Sequence, residues 1–261
     1  MASFFSKARL ATFSKFAAGA TITGAAGFHL WTRQCAFDDT FTPANDPLFQ
    51  HSLLKKVNPN NNPDFHDCCY RTVPFDKLRP DLVEDALSGG SKLVETYSAG
   101  VWGRYGEHVP VAVRAIWQGT DFDTQAFNIQ RKIMEMARKD ESNAGDLWEK
   151  EELLKSTYPV GTAFADDFIV IEKSPSSILL RGGLSPRVAP DGPRELDSII
   201  SLGADLDRQA RVVSFKLKSI LLNGVSDGND APLPGPAVFL HRQYARLLVT
   251  AGVDHCVACY P

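Results

Sequence analysis

Hydrophobic positions change their period along this chain. Between Tyr70 and Ser156 they recur at roughly helical spacing. Pro80-Asp81 opens the first such segment. A proline and an acid suit a first helical turn, where the proline lacks no needed N–H and the acid faces the positive end of the dipole. Leu82, Ala86, Leu93, Val94 and Tyr97 carry an approximate stripe that Gly89-Gly90 interrupts. Residues 100–117 read as a loop leading into an apolar segment. Two further helices are expected. One spans Thr124–Lys139, with Phe127, Ile129, Ile133 and Met134 dominating one side; the other spans Gly145–Ser156.

Beyond Ser156 the period shortens. Thr162–Lys173, Ser177–Arg181, Leu196–Asp205 and Arg211–Asn223 are four strand candidates separated by turn material, and Arg71–Pro74 is a shorter one. The last of the four alternates cleanly. Val213, Phe215, Leu217 and Leu221 face one way, and Ser214, Lys216 and Lys218 the other. That predicts one buried and one wet face. Ala237–Val253 closes the pattern as a helix whose Leu240, Tyr244, Leu247, Leu248 and Ala251 form one apolar stripe. Helices, then an antiparallel meander, then a long C-terminal helix predict an α+β fold rather than a parallel α/β one. A curved sheet gripping that helix leaves a cavity between them, apolar with a few polar groups.

The N-terminal pattern is different. Phe16 to Thr32 is a run of 17 uncharged residues, rich in Ala, Gly and Thr. As a helix it is about 25 Å long, the lower limit for a membrane span. Ala20/Gly24 and Thr23/Gly27 are small-residue pairs that let a second helix approach, and Trp31 beside Arg33 suits an interface. The segment reads as a single membrane anchor at 16–32 after a basic tail at 1–15. A mitochondrial targeting sequence and a cleaved secretory signal are the alternatives. Residues 33–69 contain Pro43, Pro47, Pro59, Pro63 and Asn60–Asn62, which predicts a tether between the anchor and a domain over 70–261.

Charge sharpens this division. The 261 residues carry a formal net charge of -3, which is no basis for a nucleic-acid binder. Residues 1–37 contribute +4 with no acid, and the remainder contributes -7. The hydrophobic content of 44% excludes a disordered polyampholyte. Of the five cysteines, Cys68-Cys69 and Cys256/Cys259 form two small clusters, each near a histidine. They read as structural thiols or as a zinc or redox site, although adjacent cysteines serve one tetrahedral metal poorly. No metal and no cofactor is expected.

Candidate chemistry centres on the C-terminal helix. His241 and Tyr244 lie one turn apart and so are neighbours. A histidine base and a tyrosine donor suit proton transfer, dehydration or cyclisation on a carbonyl-bearing substrate. Arg181, ahead of Gly182-Gly183, is a third candidate, able to bind a carboxylate or enolate oxygen. Trp102, His108, Asp166 and Lys216 are candidate ligand contacts. Asp166 and Asp167 are adjacent, so a strand turns at most one of them toward a cavity. Each of these residues has an ordinary structural alternative, in the core or on a solvated face.

Two resemblances add expectations. The element order over roughly 70–255 resembles the START-like, helix-grip proteins. Gly100-Val101-Trp102, Leu147-Trp148, Tyr158-Pro159-Val160-Gly161-Thr162, Leu180-Arg181-Gly182-Gly183-Leu184-Ser185-Pro186, Phe215-Lys216-Leu217-Lys218-Ser219 and Leu240-His241-Arg242-Gln243-Tyr244 look like landmarks of a family of fungal single-span membrane proteins. Some members are similar to proteins encoded beside polyketide or polyketide–peptide tailoring enzymes. The charged and polar residues at 103–117 depart from that pattern. The resemblance implies a membrane-anchored accessory, in the endoplasmic reticulum or alternatively the mitochondrion. It would bind a hydrophobic polyketide-type intermediate beside tailoring enzymes such as a cytochrome P450, and would bind no nucleic acid. A non-enzymatic interaction subunit and a mitochondrial lipid- or quinone-binding protein are the competing readings.

Overall fold

A computed structural model describes residues 27–103, 139–226 and 232–258. The fold is α+β. Its centre is one seven-stranded, fully antiparallel sheet of strand order β1-β2-β7-β6-β5-β4-β3. The strands are β1 (Ala36–Phe37), β2 (Asp64–Pro74), β3 (Ala163–Phe164), β4 (Phe168–Lys173), β5 (Ser177–Gly183), β6 (Asp197–Asp207) and β7 (Val212–Leu222). The helices are α1 (Ser52–Val57), α2 (Pro80–Leu87), α3 (Lys92–Gly103), α4 (Lys150–Lys155) and α5 (Gly235–Cys256). A hairpin joins β6 to β7, whose pairing runs unbroken from Asp197↔Leu222 to Asp207↔Val212.

One face of this sheet carries the main core. Val213, Phe215 and Leu217 of β7, Leu202 and Ala204 of β6, and Ile178 and Leu180 of β5 pack beneath α3 and α5. The period-2 alternation read from the sequence sets this face. The two helices approach so closely that a Cβ on Gly100 would lie 2.6 Å from His255 Cβ. One on Gly252 would lie 2.6 Å from the Tyr97 ring. Only glycine fits either position without moving a neighbour. Gly100-Val101-Trp102, expected in a loop, is therefore the C-terminal turn of α3, where Gly100 serves the helix crossing.

The expected tether at 33–69 is instead part of the fold. Phe41, Leu48, Phe49, Leu54 and Val57 are buried against Cys68, Leu179, Ile199, Ile220 and Leu222. They form a second, smaller core on the opposite face of the sheet. Full burial of each large apolar side chain stabilises by about 1.5–3 kcal/mol relative to exposure, so this strap is firmly held. Its polar residues bond across the gap. Lys218 Nζ reaches Asp46 at 2.6 Å and His51 Nε2 reaches Glu172 at 2.8 Å. Asn62 Nδ2 donates to the carbonyls of Asn223 and Ser226. The prolines and asparagines do make turns, but the apolar residues between them cover a surface. The second face of β7 is accordingly wet only in part.

The expected span at 16–32 falls mostly outside the described residues. Residues 27–32 are helical and lean on the domain: Trp31 Nε1 donates to Asp254 Oδ2 at 3.2 Å, and Thr32 is buried. Among the described residues no helix is long and apolar enough to cross a membrane. The expected helix at 124–139 also lies outside them, except for Lys139, which is not helical. The expected helix at 145–156 is the shorter α4, started by a capping box in which Glu149 and Glu152 satisfy each other's backbone N–H groups.

Candidate functional site

A cavity of about 220 Å³ opens between α5 and the sheet. The sheet contributes Ile200, Leu217 and Ser219 to its floor, and α5 contributes His241, Tyr244 and Leu248. Trp102 from the end of α3, with Asp167 and Phe168 from the start of β4, closes one side. The Trp102 and Phe168 rings lie 4.7 Å apart, which makes that wall aromatic. The cavity mouth lies beside Leu196 and Tyr244, which are 47% and 42% exposed.

Most of the lining is apolar; apart from Ser198, its polar side chains fall in two groups. The first joins three residues far apart in sequence. Ser219 Oγ donates to Asp67 Oδ1 at 2.6 Å. His241 Nε2 lies 3.1 Å from Ser219 Oγ and 3.4 Å from Asp67 Oδ1. β2 and β7 place Asp67 and Ser219 directly opposite each other. Phe65, two residues earlier on the same face of β2, packs edge-to-face on the His241 ring at 5.1 Å. The Asp67 side chain is 2% exposed, and its Oδ2 has no hydrogen-bond partner. The arrangement is not a Ser-His-Asp triad, because serine and aspartate share one imidazole nitrogen.

The second polar group is Tyr244 with Asp167. Burial of the phenol oxygen, followed by the nearby Asp167 carboxylate, pushes the Tyr244 pKa up to about 12. Tyr244 therefore stays a neutral donor at ordinary pH.

The other candidates are distributed as follows. Trp102 lines the cavity. His108 lies outside the described residues. Asp166 is displaced by a turn: Ala165 and Asp166 both take left-handed backbone angles, with φ of 55° and 52°. This turn gives the cavity Asp167 and leaves Asp166 with Ser185 Oγ at 2.6 Å and Arg187 Nη1 at 3.0 Å. Lys216 sits at the opposite parity from Leu217 and reaches Asp205 at 2.9 Å, so it does not meet the cavity.

Arg181 is also on the far face, because it pairs with Ile199 while Leu180 pairs with Ile200. It does bind a carboxylate, but one from its own chain. Asp197, fully buried, accepts two hydrogen bonds from Arg181 and a third from Arg194. The two guanidinium groups also donate to carbonyls of residues 182–192, including Pro190 and Gly192 for Arg181 and Ser185 for Arg194. This cluster fastens the 184–196 loop to the sheet.

Asp167 is the member of the Asp166/Asp167 pair outside the candidate ligand contacts, and Asp67 and Ser219 are site residues that are not among those contacts either. Ser219 had a signal, because it continues the buried parity of Val213, Phe215 and Leu217. Asp67 was visible only as a member of the His66-Asp67-Cys68-Cys69 cluster weighed as a zinc site; nothing local pointed from it to His241.

The cysteines form no metal centre among the described residues, where no group of three or more His, Cys, Asp or Glu is placed to hold an ion. Cys68 and Cys69 point to opposite faces of β2. Burial pushes the Cys68 thiol up to about 12. Cys35 is moved the other way, first by a hydrogen bond from Cys69. Its sulfur also lies 3.3 Å from Thr250 Oγ1. Cys259 lies outside the described residues.

Comparison of the chain with known protein families, curated proteins and solved structures finds no match.

Proposed function

We propose that this protein is a membrane-attached accessory of natural-product assembly that holds a small hydrophobic intermediate beneath α5. The observation that carries the reading is the cavity itself, with an apolar wall and two separated polar groups, the usual composition of a small-molecule site. The accompanying fold reading is the helix-grip arrangement, in which a C-terminal helix lies across a curved antiparallel sheet. Cavities of about 150 Å³ admit benzene. A cavity of about 220 Å³ therefore suits one or two fused rings, or the end of a longer chain that leaves past Leu196 and Tyr244. Tyr244 serves as a donor to a ligand oxygen, and His241 as the acid–base group at the other end. The membrane segment at 16–32 would keep the domain beside membrane-bound tailoring enzymes such as a cytochrome P450.

Filling the cavity tests this. Ile200→Phe places a ring in the space without removing a polar group. It should weaken binding of 1-naphthol by roughly tenfold or more while leaving the circular dichroism spectrum unchanged. Equal binding by the wild type and the filled variant would refute the cavity as the site. Carbonate extraction of the full-length chain tests the attachment, and release into the supernatant would refute it.

One observation favours a second reading. Phe239 and Leu240, on the first turns of α5, are 63% and 65% exposed. Neighbouring exposed apolar side chains suit a protein contact, so an interaction subunit without turnover is the alternative. Phe239→Ser with Leu240→Ser would then abolish co-purification with the tailoring enzyme but spare 1-naphthol binding.

A further inference from the structure

A histidine's tautomer is set by what its ring nitrogens face. Here the neighbours of one nitrogen are defined. Ser219 has a single hydroxyl proton, and at 2.6 Å that proton is committed to Asp67 Oδ1. Ser219 Oγ can then only accept from His241 Nε2 at 3.1 Å. Asp67 Oδ1, at 3.4 Å, can only accept as well. With an acceptor on both sides, Nε2 carries the hydrogen. In the neutral ring the lone pair is therefore on Nδ1.

Asp67 is suited to this task because little else occupies it. Its side chain is 2% exposed, and among the described residues Oδ2 has no hydrogen-bond partner and no arginine or lysine is paired with it. Its acceptor capacity is directed at Ser219 and His241. The edge-on Phe65 ring limits how the imidazole can turn.

We propose that Asp67 is a positioning residue. Acting with Ser219, it fixes His241 as the Nε2–H tautomer and so makes Nδ1 a hydrogen-bond acceptor for the cavity's ligand. The ligand class that matches is a hydroxyl donor on an unsaturated ring or chain, a phenol or an enol. The tautomer follows from the geometry alone; the ligand class rests on the cavity being the binding site.

Long-range proton–nitrogen spectra of the histidine-labelled full chain, with His241→Gln to assign the signal, test the first part. The wild type should show a single Nε2–H tautomer at His241. In Asp67→Ala the Ser219 proton is released to donate to Nε2, so the Nδ1–H form should appear. An Nδ1–H tautomer in the wild type, or an unchanged spectrum in Asp67→Ala, would overturn the assignment. The wild-type spectrum suffices if Asp67→Ala does not fold.

A matched pair of probes tests the second part. Wild-type protein should bind 1-naphthol roughly tenfold more tightly than naphthalene, the effect of one added hydrogen bond. His241→Phe should lose that preference while still binding naphthalene. Equal wild-type affinities would overturn the ligand class but leave the cavity as the site. Failure of both probes to bind would overturn the cavity reading and the ligand class together, whatever the tautomer.

Discussion

Two buried carboxylates, on opposite faces of the same sheet, are treated in opposite ways. Asp197 is wholly enclosed and saturated: both oxygens accept from arginine, and the arginines are themselves held by loop carbonyls. Asp67 is almost as deeply buried, yet its contacts are a serine hydroxyl and a histidine, and one oxygen is left over. A buried carboxylate with both oxygens paired to arginine fixes a loop and has little to offer a ligand, even though Arg194 Nε of the cluster has no hydrogen-bond partner among the described residues. A buried carboxylate with spare capacity is costly unless something uses it. The difference separates a cluster consumed by the fold from one with acceptor capacity left over, without reference to sequence position.

The largest expected effect lies at the saturated cluster. Asp197→Ala leaves two buried guanidinium groups without a counter-charge, which costs about 3–5 kcal/mol. Urea unfolding should show this as a large fall in midpoint, or the variant should fail to accumulate. Asp67→Asn should do far less. The amide retains a partner for Ser219 and removes an uncompensated charge, so the unfolding free energy should change by less than about 1 kcal/mol. If the two substitutions cost the same, the contrast between the clusters does not hold.

A third effect is confined to alkaline pH and concerns Tyr244. Its pKa rises from the usual 10 to about 12 because its hydroxyl is desolvated and faces Asp167. Between these values the unfolded chain has released the proton and the folded chain has kept it. Unfolding therefore becomes easier as pH rises through that window. Phenolate absorbance, taken as the difference between wild type and Tyr244→Phe, should titrate near pH 12. A step near 10 would place the hydroxyl in solvent.

Much of this architecture is legible in the order of residues. The strand candidates at 177–181, 196–205 and 211–223 correspond to β5, β6 and β7, and the helix expected at 237–253 lies within α5. Alternation and helical stripes are local, so they survive without tertiary information. The strap at 38–57 was illegible for a physical reason. Phe41, Leu48, Phe49, Leu54 and Val57 keep no single period, because a loop, a 3-10 turn and a short helix share them. Prolines and asparagines at its bends give the composition of a linker, whereas its fixation comes from a sheet face supplied by distant residues.

The site divides in the same way. Helical spacing makes His241 and Tyr244 neighbours, and both line the cavity. Parity along β5 separates Arg181 from Leu180, but only the placement of α5 decides which parity meets the cavity. Likewise, an adjacent pair of aspartates must diverge, while the left-handed turn at Ala165 and Asp166 selects Asp167. The sequence by itself determined the α+β class, the alternating faces and the one-turn spacing of His241 and Tyr244, because each follows from near-neighbour geometry. Only the tertiary structure decided that Tyr244 stands apart beside Asp167, and that Asp67, 152 residues from Ser219 and 174 from His241, joins those two. Strand register, which no local pattern encodes, sets Asp67 opposite Ser219, and the packing of α5 on the sheet brings His241 within reach of both.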